Sequence, residues 1–282
     1  MKLYRPTNAP AYRWLVKKSF AARRRFGTLI PDTISARARA SLGLVPLRWI
    51  DLGPLQLIRE AAIQQLRDAN FLEHELLPAL GFSSDAIEVY PARLRAYSGT
   101  GLHHWQYPNQ FSKYLVHLSQ LEISSYLEIG VQHGGTFAIT VEYLQRFRAL
   151  RAAYAVDVNR IPSLRSYERE NPIVHVIRED SSSAPFRRFV AEHAPFDLVL
   201  IDGDHSEEGC QRDFDAVADH ASHIALHDIV DTYWSGVGKV WNRIKHEQRA
   251  RFDCAEFVEQ YPEVESALSR SLLGIGLASR KR

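Results

Sequence analysis

The feature that most limits what this chain can become is a strand, a glycine turn and a helix in immediate succession. They occupy residues 125 to 136, Ser-Tyr-Leu-Glu-Ile-Gly-Val-Gln-His-Gly-Gly-Thr. Tyr126, Leu127, Ile129 and Val131 make an apolar run with the length of a strand buried on both faces. Gly130, Gly134 and Gly135 break the run, and Phe137, Thr140, Val141, Leu144 and Phe147 then recur at helical spacing. This succession opens a βαβ unit, a construction in which ligands settle at the carboxyl ends of the strands.

The spacing of the glycines narrows the ligand. A dinucleotide fingerprint needs G-x-G-x-x-G, so that backbone amides and a helix N-terminus approach a pyrophosphate. Here the glycines fall four and one apart, and the residue before the turn is an anion, Glu128. A carboxylate there repels a diphosphate and suits a ligand carrying an ammonium and a sulfonium. A second apolar strand, Tyr154, Ala155 and Val156, ends in Asp157, about twenty residues past the turn, where a ribose diol is expected. The bland alternative is a βα turn that holds no ligand. The pattern E-x-G-x-x-x-G-G followed by a strand-end acid resembles motifs I and II of the class I S-adenosylmethionine (SAM) methyltransferases. The resemblance implies a cofactor site at Glu128, Gly130, Gly134, Gly135, Thr136 and Asp157.

The following sequence alternates regularly. A helix is expected near residues 161–170, then a strand at Ile173, Val174, Val176 and Ile177 that ends in Glu179, Asp180 and Ser181. Asp180 and Ser181 are placed to meet an adenine amino group, while Ser182 or Ser183 before Ala184-Pro185 reads as a helix cap. A fourth strand, Phe196-Asp-Leu-Val-Leu-Ile, runs into Asp202-Gly-Asp-His205, and a fifth, Ile224-Ala-Leu-His-Asp-Ile, ends in His227-Asp228. Alternating elements with one glycine turn predict a single doubly wound α/β sheet, Rossmann-like, with right-handed crossovers. Asp213, Asp215 and Asp219 are expected on a solvated helix face, and Glu207 at a helix N-terminus, where the dipole favours it.

If strands four and five are neighbours, Asp202, Asp204, His205, His227 and Asp228 crowd one crevice. Clustered carboxylates repel unless a cation or a proton offsets them. A hard divalent ion, Mg²⁺ or Mn²⁺, would do so. Transfer of a methyl group from a sulfonium is dominated by positioning, and a hydroxyl acceptor needs a metal or a base such as His205. The segments L-E-I-G-V-Q-H-G-G-T, F-D-L-V-L-I-D-G-D-H-S-E-E-G, A-L-H-D-I and G-V-G-K-V-W-N-R-I-K are similar to the SAM methyltransferases grouped with the cephalosporin-hydroxylase-like and macrolide-sugar O-methyltransferase proteins. That resemblance covers roughly residues 100–280. It implies a seven-stranded sheet closed by an antiparallel pair, Asp202 and Asp228 as magnesium ligands, and His205 as the base; Asp202 and Asp204, crowded beside it, are expected in the catalytic group. His227 departs from the pattern, because an acid stands there in magnesium-dependent members and imidazole is a poor Mg²⁺ ligand. Three readings of His227 stay open: fewer protein ligands, a softer ion that takes His227 as a ligand, or no metal and acid–base work by the histidines.

Charge is unevenly spread. Residues 1–50 hold 11 Lys and Arg against Asp32, whereas the remainder has 24 basic and 32 acidic residues. The aromatic, acid-poor arm is read as packing on the catalytic domain or on another subunit, in preference to a membrane-surface contact, and no nucleic-acid partner is expected. Residues 51–122 are expected to form a helical cap or entry segment, with Gln106, Tyr107 and Gln110 reaching the ligand crevice, and residues 123–282 the SAM-binding domain. No apolar run nears the ~20 residues of a membrane span, so a soluble, cytoplasmic protein is expected. The two cysteines, Cys210 and Cys254, make neither a disulfide framework nor a zinc site. The expected activity is O-methylation of a hydroxyl on a sugar, glycolipid or secondary metabolite, with a homo-oligomer compatible with the arm. The alternative is a binding module that keeps the fold without turnover.

Overall fold

The computed structural model describes residues 49–84, 87–233 and 235–281, and the basic arm lies outside them. Residues 49 onward make one compact unit. Its centre is a seven-stranded sheet in the order β3-β2-β1-β4-β5-β7-β6. The strands are β1 (Ser125–Ile129), β2 (Ala152–Asp157), β3 (Val174–Arg178), β4 (Phe196–Ile201), β5 (Ala221–His227), β6 (Phe252–Phe257) and β7 (Ile275–Arg280). The first five run parallel, and β7 is antiparallel to both β5 and β6. Sequence-adjacent β6 and β7 form the expected closing pair, with β7 inserted between β5 and β6.

Helices cover both faces, as a parallel sheet requires. They are α1 (Pro108–Leu118), α2 (Gly135–Gln145), α3 (Pro162–Glu170), α4 (Ala184–His193), α5 (Glu207–Val217), α6 (Ser235–Glu247) and α7 (Pro262–Leu268). Alternation along β1 feeds two cores. Tyr126 packs with residues of α1, α2 and α3, whereas Leu127 and Ile129 pack on the opposite face with residues of α4, α5 and α6. The helical turns between residues 55 and 80 share the first of these cores through Leu55, Ile58, Leu66, Leu72, Leu76, Leu77 and Leu80. Each large side chain so buried contributes about 1.5–3 kcal/mol.

Strand order reverses between β1 and β4, which places a crevice at their carboxyl ends. Register brings the acids there together. Glu128 stands opposite Ala155 and Leu200, and Ile201 opposite Leu226, so the residues following β4 and β5 emerge side by side. The fifth strand stops at His227. Asp228 follows at the strand's carboxyl end with a left-handed backbone (φ 65°), and Ile229 and Val230 turn to donate to the carbonyls of Gly274 and Leu273.

One expectation fails on α5. Asp213 is not on a solvated face but fully buried. It belongs to the stripe Cys210, Phe214 and Val217 that packs on the sheet. Burial pushes its carboxyl up to about 6, against the pull of Arg212 and Ser181.

Candidate active site

The glycine turn is shaped by close approaches of the chain to itself. Gly130, Gln132 and Gly134 all have left-handed backbones (φ 86°, 48° and 89°). A Cβ on Gly130 would lie 2.3 Å from the Asp202 carbonyl oxygen, so only glycine lets the loop after β4 lie against the end of β1. A Cβ on Gly135 would lie 2.1 Å from the Leu102 carbonyl oxygen. The loop before α1 thus crosses the start of α2 and sets a carbonyl against that end of the helix, where a pyrophosphate would need open amides. Thr136, the next residue of α2, is partly exposed. Asp157 closes the turn from the neighbouring strand. One carboxylate oxygen accepts from Gln132 N (3.0 Å) and the other from Asn159 N (2.8 Å). The second oxygen also accepts from Asn159 Nδ2 (3.0 Å).

Glu128 sits at the end of β1 on the α2 face, 1 % exposed, accepting a hydrogen bond from the Tyr126 hydroxyl. Burial raises its carboxyl to about 8. Tyr126 and His227 pull it down, while Asp202 and Asp157 push it further up. This buried acid lacks a sufficient counter-charge. Its surroundings fit a cationic ligand and disfavour an anionic one.

The second cluster lies beyond β4 and β5. Asp202 N extends the β1 ladder by donating to the Ile129 carbonyl (2.8 Å). Ser206 caps α5 by accepting from Gly209 N (3.0 Å), and a Cβ on Gly236 would lie 2.7 Å from the His205 carbonyl oxygen, so α6 presses on the same loop. These contacts aim His205 inward. Its Nε2 lies 3.2 Å from Asp202 Oδ1 and 3.0 Å from Asp228 Oδ2. His227 Nδ1 lies 3.1 Å from the same Asp202 Oδ1 and 3.2 Å from Asp228 Oδ1. One donor atom from each of the four residues falls within 4.8 Å of all the others.

Charge in this quartet is finely set. Burial would depress both imidazoles, but Asp202 and Asp228 more than reverse that, to about 10 for His205 and about 9 for His227. Burial would likewise raise Asp202, yet His227 and His205 hold it well below the usual carboxylate range. Without another cation the quartet is two imidazolium–carboxylate pairs, neutral in sum. A divalent ion bound here would displace the imidazole protons.

Other expected residues fall elsewhere. Asp204 is not part of the quartet: its carboxylate accepts from Ser206 N (3.0 Å) and lies against Gly209, so it shapes the entry to α5. Asp180 Oδ1 accepts from Ser182 N (2.7 Å), and Ser183 rather than Ser182 caps α4 by accepting from Phe186 N (3.0 Å). Ser181 interacts with Asp213 across the start of α5. Tyr107 and Gln110 do structural work. The Tyr107 hydroxyl donates to Val89 O (2.6 Å), and Gln110 joins α1 to the tail through Glu259 O (2.8 Å) and Gly274 N (3.0 Å). Gln106 is buried, and nothing among the described residues hydrogen-bonds its Oε1.

Sequence reasoning passed over Asp231, which is buried beside the quartet and whose carboxyl is raised by burial first and by Asp228 second. An acid three residues past Asp228 in a turn was the available signal. It also passed over His133, 2 % exposed inside the glycine turn, with its ring 6.1 Å from that of His103.

Comparison with known proteins adds to this geometry. Residues 127–229 match a family described as a methyltransferase domain. Over 122 residues the chain is 28 % identical to a demethylmacrocin O-methyltransferase of Streptomyces fradiae, a stretch covering 40 % of this chain. The chain spans only 29 % of that relative's length. Among solved structures it resembles an O-methyltransferase from Bacillus cereus in complex with SAH (14 % identity, 95 % of this chain and 100 % of that one, TM-score 0.46). It also resembles the MycE methyltransferase of the mycinamycin pathway in complex with Mg, SAH and mycinamycin VI (18 % identity, 64 % and 51 %, TM-score 0.44). The segment that matches the methyltransferase-domain family runs from β1 to the turn after β5 of the Rossmann-like sheet and contains every predicted site residue from Glu128 to Asp228.

Proposed function

We propose that the chain is a SAM-dependent O-methyltransferase acting on a hydroxyl of a sugar, glycolipid or other secondary metabolite. The observation that carries this reading is the position of Glu128. It is a buried, under-neutralised carboxyl beside a glycine turn, within the segment that matches a methyltransferase domain. The residues present fit SAM better than a dinucleotide, since Glu128 suits its ammonium and sulfonium and the Leu102 carbonyl occupies the start of α2. SAM, when bound, supplies an electrophilic methyl group on sulfur.

In this reading Glu128 holds the cationic end of the cofactor, and Asp157, at the end of β2, accepts from the ribose hydroxyls. Asp180 and Ser181 stand at the adenine end. The acceptor hydroxyl would lie over the quartet, where His205 Nε2 would take its proton while bound SAM would supply the methyl group. As an imidazolium His205 cannot do this. A divalent cation on the neighbouring carboxylates would offset the charge that now keeps it protonated and would acidify the hydroxyl. The relative from Streptomyces fradiae is named for O-methylation of demethylmacrocin, which supports a hydroxylated small-molecule acceptor. Among the described residues no helix is long and apolar enough to cross a membrane.

The test is titration calorimetry of SAM and SAH, followed by methyl transfer to a panel of hydroxylated glycosides. Micromolar binding with transfer to at least one acceptor is expected. Absence of SAM binding to the folded protein refutes the proposal. Binding without transfer to any acceptor, with or without added divalent ions, favours a module that keeps the pocket without turnover.

A further inference from the structure

We infer that the quartet site takes a borderline transition-metal ion such as Fe²⁺, Co²⁺ or Zn²⁺ in preference to Mg²⁺, because His227 supplies a nitrogen donor where a hard ion needs oxygen. The inference rests on the methyltransferase reading for its purpose and on this chain's own side chains for its content.

The ligands are Asp202, Asp228 and His227. The imidazole is held rigidly by the fold. His227 ends β5, where it is buried and pairs in register with Ile275 of β7, and its Nδ1 is directed between the two carboxylates. Its distances to Asp202 Oδ1 and Asp228 Oδ1, 3.1 and 3.2 Å, match the separation of adjacent ligands around a small divalent ion. For metal–ligand bonds of about 2.0–2.2 Å that separation is roughly 3.0–3.5 Å. Two carboxylates and one neutral imidazole form a mixed oxygen–nitrogen set. Magnesium demands near-ideal octahedral oxygen coordination and dehydrates reluctantly, whereas imidazole suits the later first-row ions. His205 Nε2 meets the same two carboxylates, at Asp202 Oδ1 (3.2 Å) and Asp228 Oδ2 (3.0 Å), and is assigned as the base.

Affinity for transition metals exceeds that for magnesium at most nitrogen-containing sites, so the decisive comparison is with a variant that restores an oxygen donor. The chelator-stripped full chain is titrated with Co²⁺ and followed by its visible ligand-field absorption. Mg²⁺ is then added as competitor to wild type, His227→Glu and His227→Ala, each first checked for folding by circular dichroism. Wild type is expected to bind one Co²⁺ per chain, and 10 mM Mg²⁺ should change its apparent Kd less than twofold. His227→Glu should weaken Co²⁺ at least tenfold and let millimolar Mg²⁺ displace it, while His227→Ala should weaken Co²⁺ without gaining Mg²⁺. Displacement of Co²⁺ from wild type by 1 mM Mg²⁺, or no stoichiometric Co²⁺ binding to folded wild type, overturns the inference. SAM binding measured on the same samples separates the two claims. Selective Co²⁺ binding without SAM binding refutes the methyltransferase reading and leaves the metal preference standing, and the converse result does the opposite.

Discussion

Binding of SAM should be linked to ionisation of Glu128, and the linkage can be worked out from its surroundings. With no cation beside it, the buried carboxyl titrates at about 8. A cofactor whose ammonium or sulfonium provides the missing counter-charge would hold it ionised at every pH of the experiment. Affinity should then follow the fraction of free protein already ionised. That fraction rises from roughly 0.3 % at pH 5.5 to roughly 9 % at pH 7, so SAM should bind about 30-fold more tightly at pH 7, a change of ~2 kcal/mol. Over this interval the α-amino group of SAM remains protonated, since such groups titrate near about 7.7–8.0. The two quartet histidines, at about 10 and about 9, stay charged as well. Calorimetry at four pH values, in buffers of differing ionisation enthalpy, would read both the affinity and the proton released. Glu128→Gln removes the titrating group, and its profile should be flat. A wild-type affinity that changes less than twofold between pH 5.5 and 7, or an equal slope in the Gln variant, would refute this account of the site.

Gly130→Ala should cost at least 2 kcal/mol in denaturant unfolding, because it adds a Cβ to a left-handed residue 2.3 Å from the Asp202 carbonyl oxygen; a loss under 0.5 kcal/mol would show that the approach is not needed. Asp202→Asn should keep SAM affinity within about threefold while lowering turnover at least about 100-fold, since it removes the negative charge that both imidazoles face at the acceptor side; unchanged kcat would remove Asp202 from its role. Asp213 has a folded-state pKa raised to about 6 from 3.8, so its contribution to stability is complete below 3.8 and is lost as pH rises through 6. The stability of wild type relative to Asp213→Asn should therefore fall by about 1 kcal/mol between pH 5 and pH 7, and a constant difference would contradict the burial argument.

The parts of the molecule legible from residues are those where local chemistry and global position coincide. The run Phe196-Asp-Leu-Val-Leu-Ile could only be a strand covered on both sides, and the acid after it had to lie at a strand end. The wrong glycine spacing for a dinucleotide was informative for the same reason. Asp213 was misplaced although a signal existed: Cys210, Asp213, Phe214 and Val217 fall at i, i+3, i+4 and i+7, an inward stripe, but the charge was given more weight than the period. Asp204 could not be separated from Asp202 by spacing, because which way a loop carboxylate turns depends on Gly209 and the start of α5. The role of Gln110 was hidden altogether, since its partners Glu259 and Gly274 lie some 150 residues further along the chain.

The insertion of β7 between β5 and β6 has a consequence for how the protein is made. Strand β6 leaves the ribosome before β7 yet touches the sheet through β7 alone among the described strands, so it must wait for its successor. The turn carrying Asp228 waits too, because Ile229 and Val230 hang from the carbonyls of Gly274 and Leu273. A nascent chain that has reached α6 can assemble the Glu128 side of the crevice, while the quartet side stays unfastened until the final strand is threaded into place.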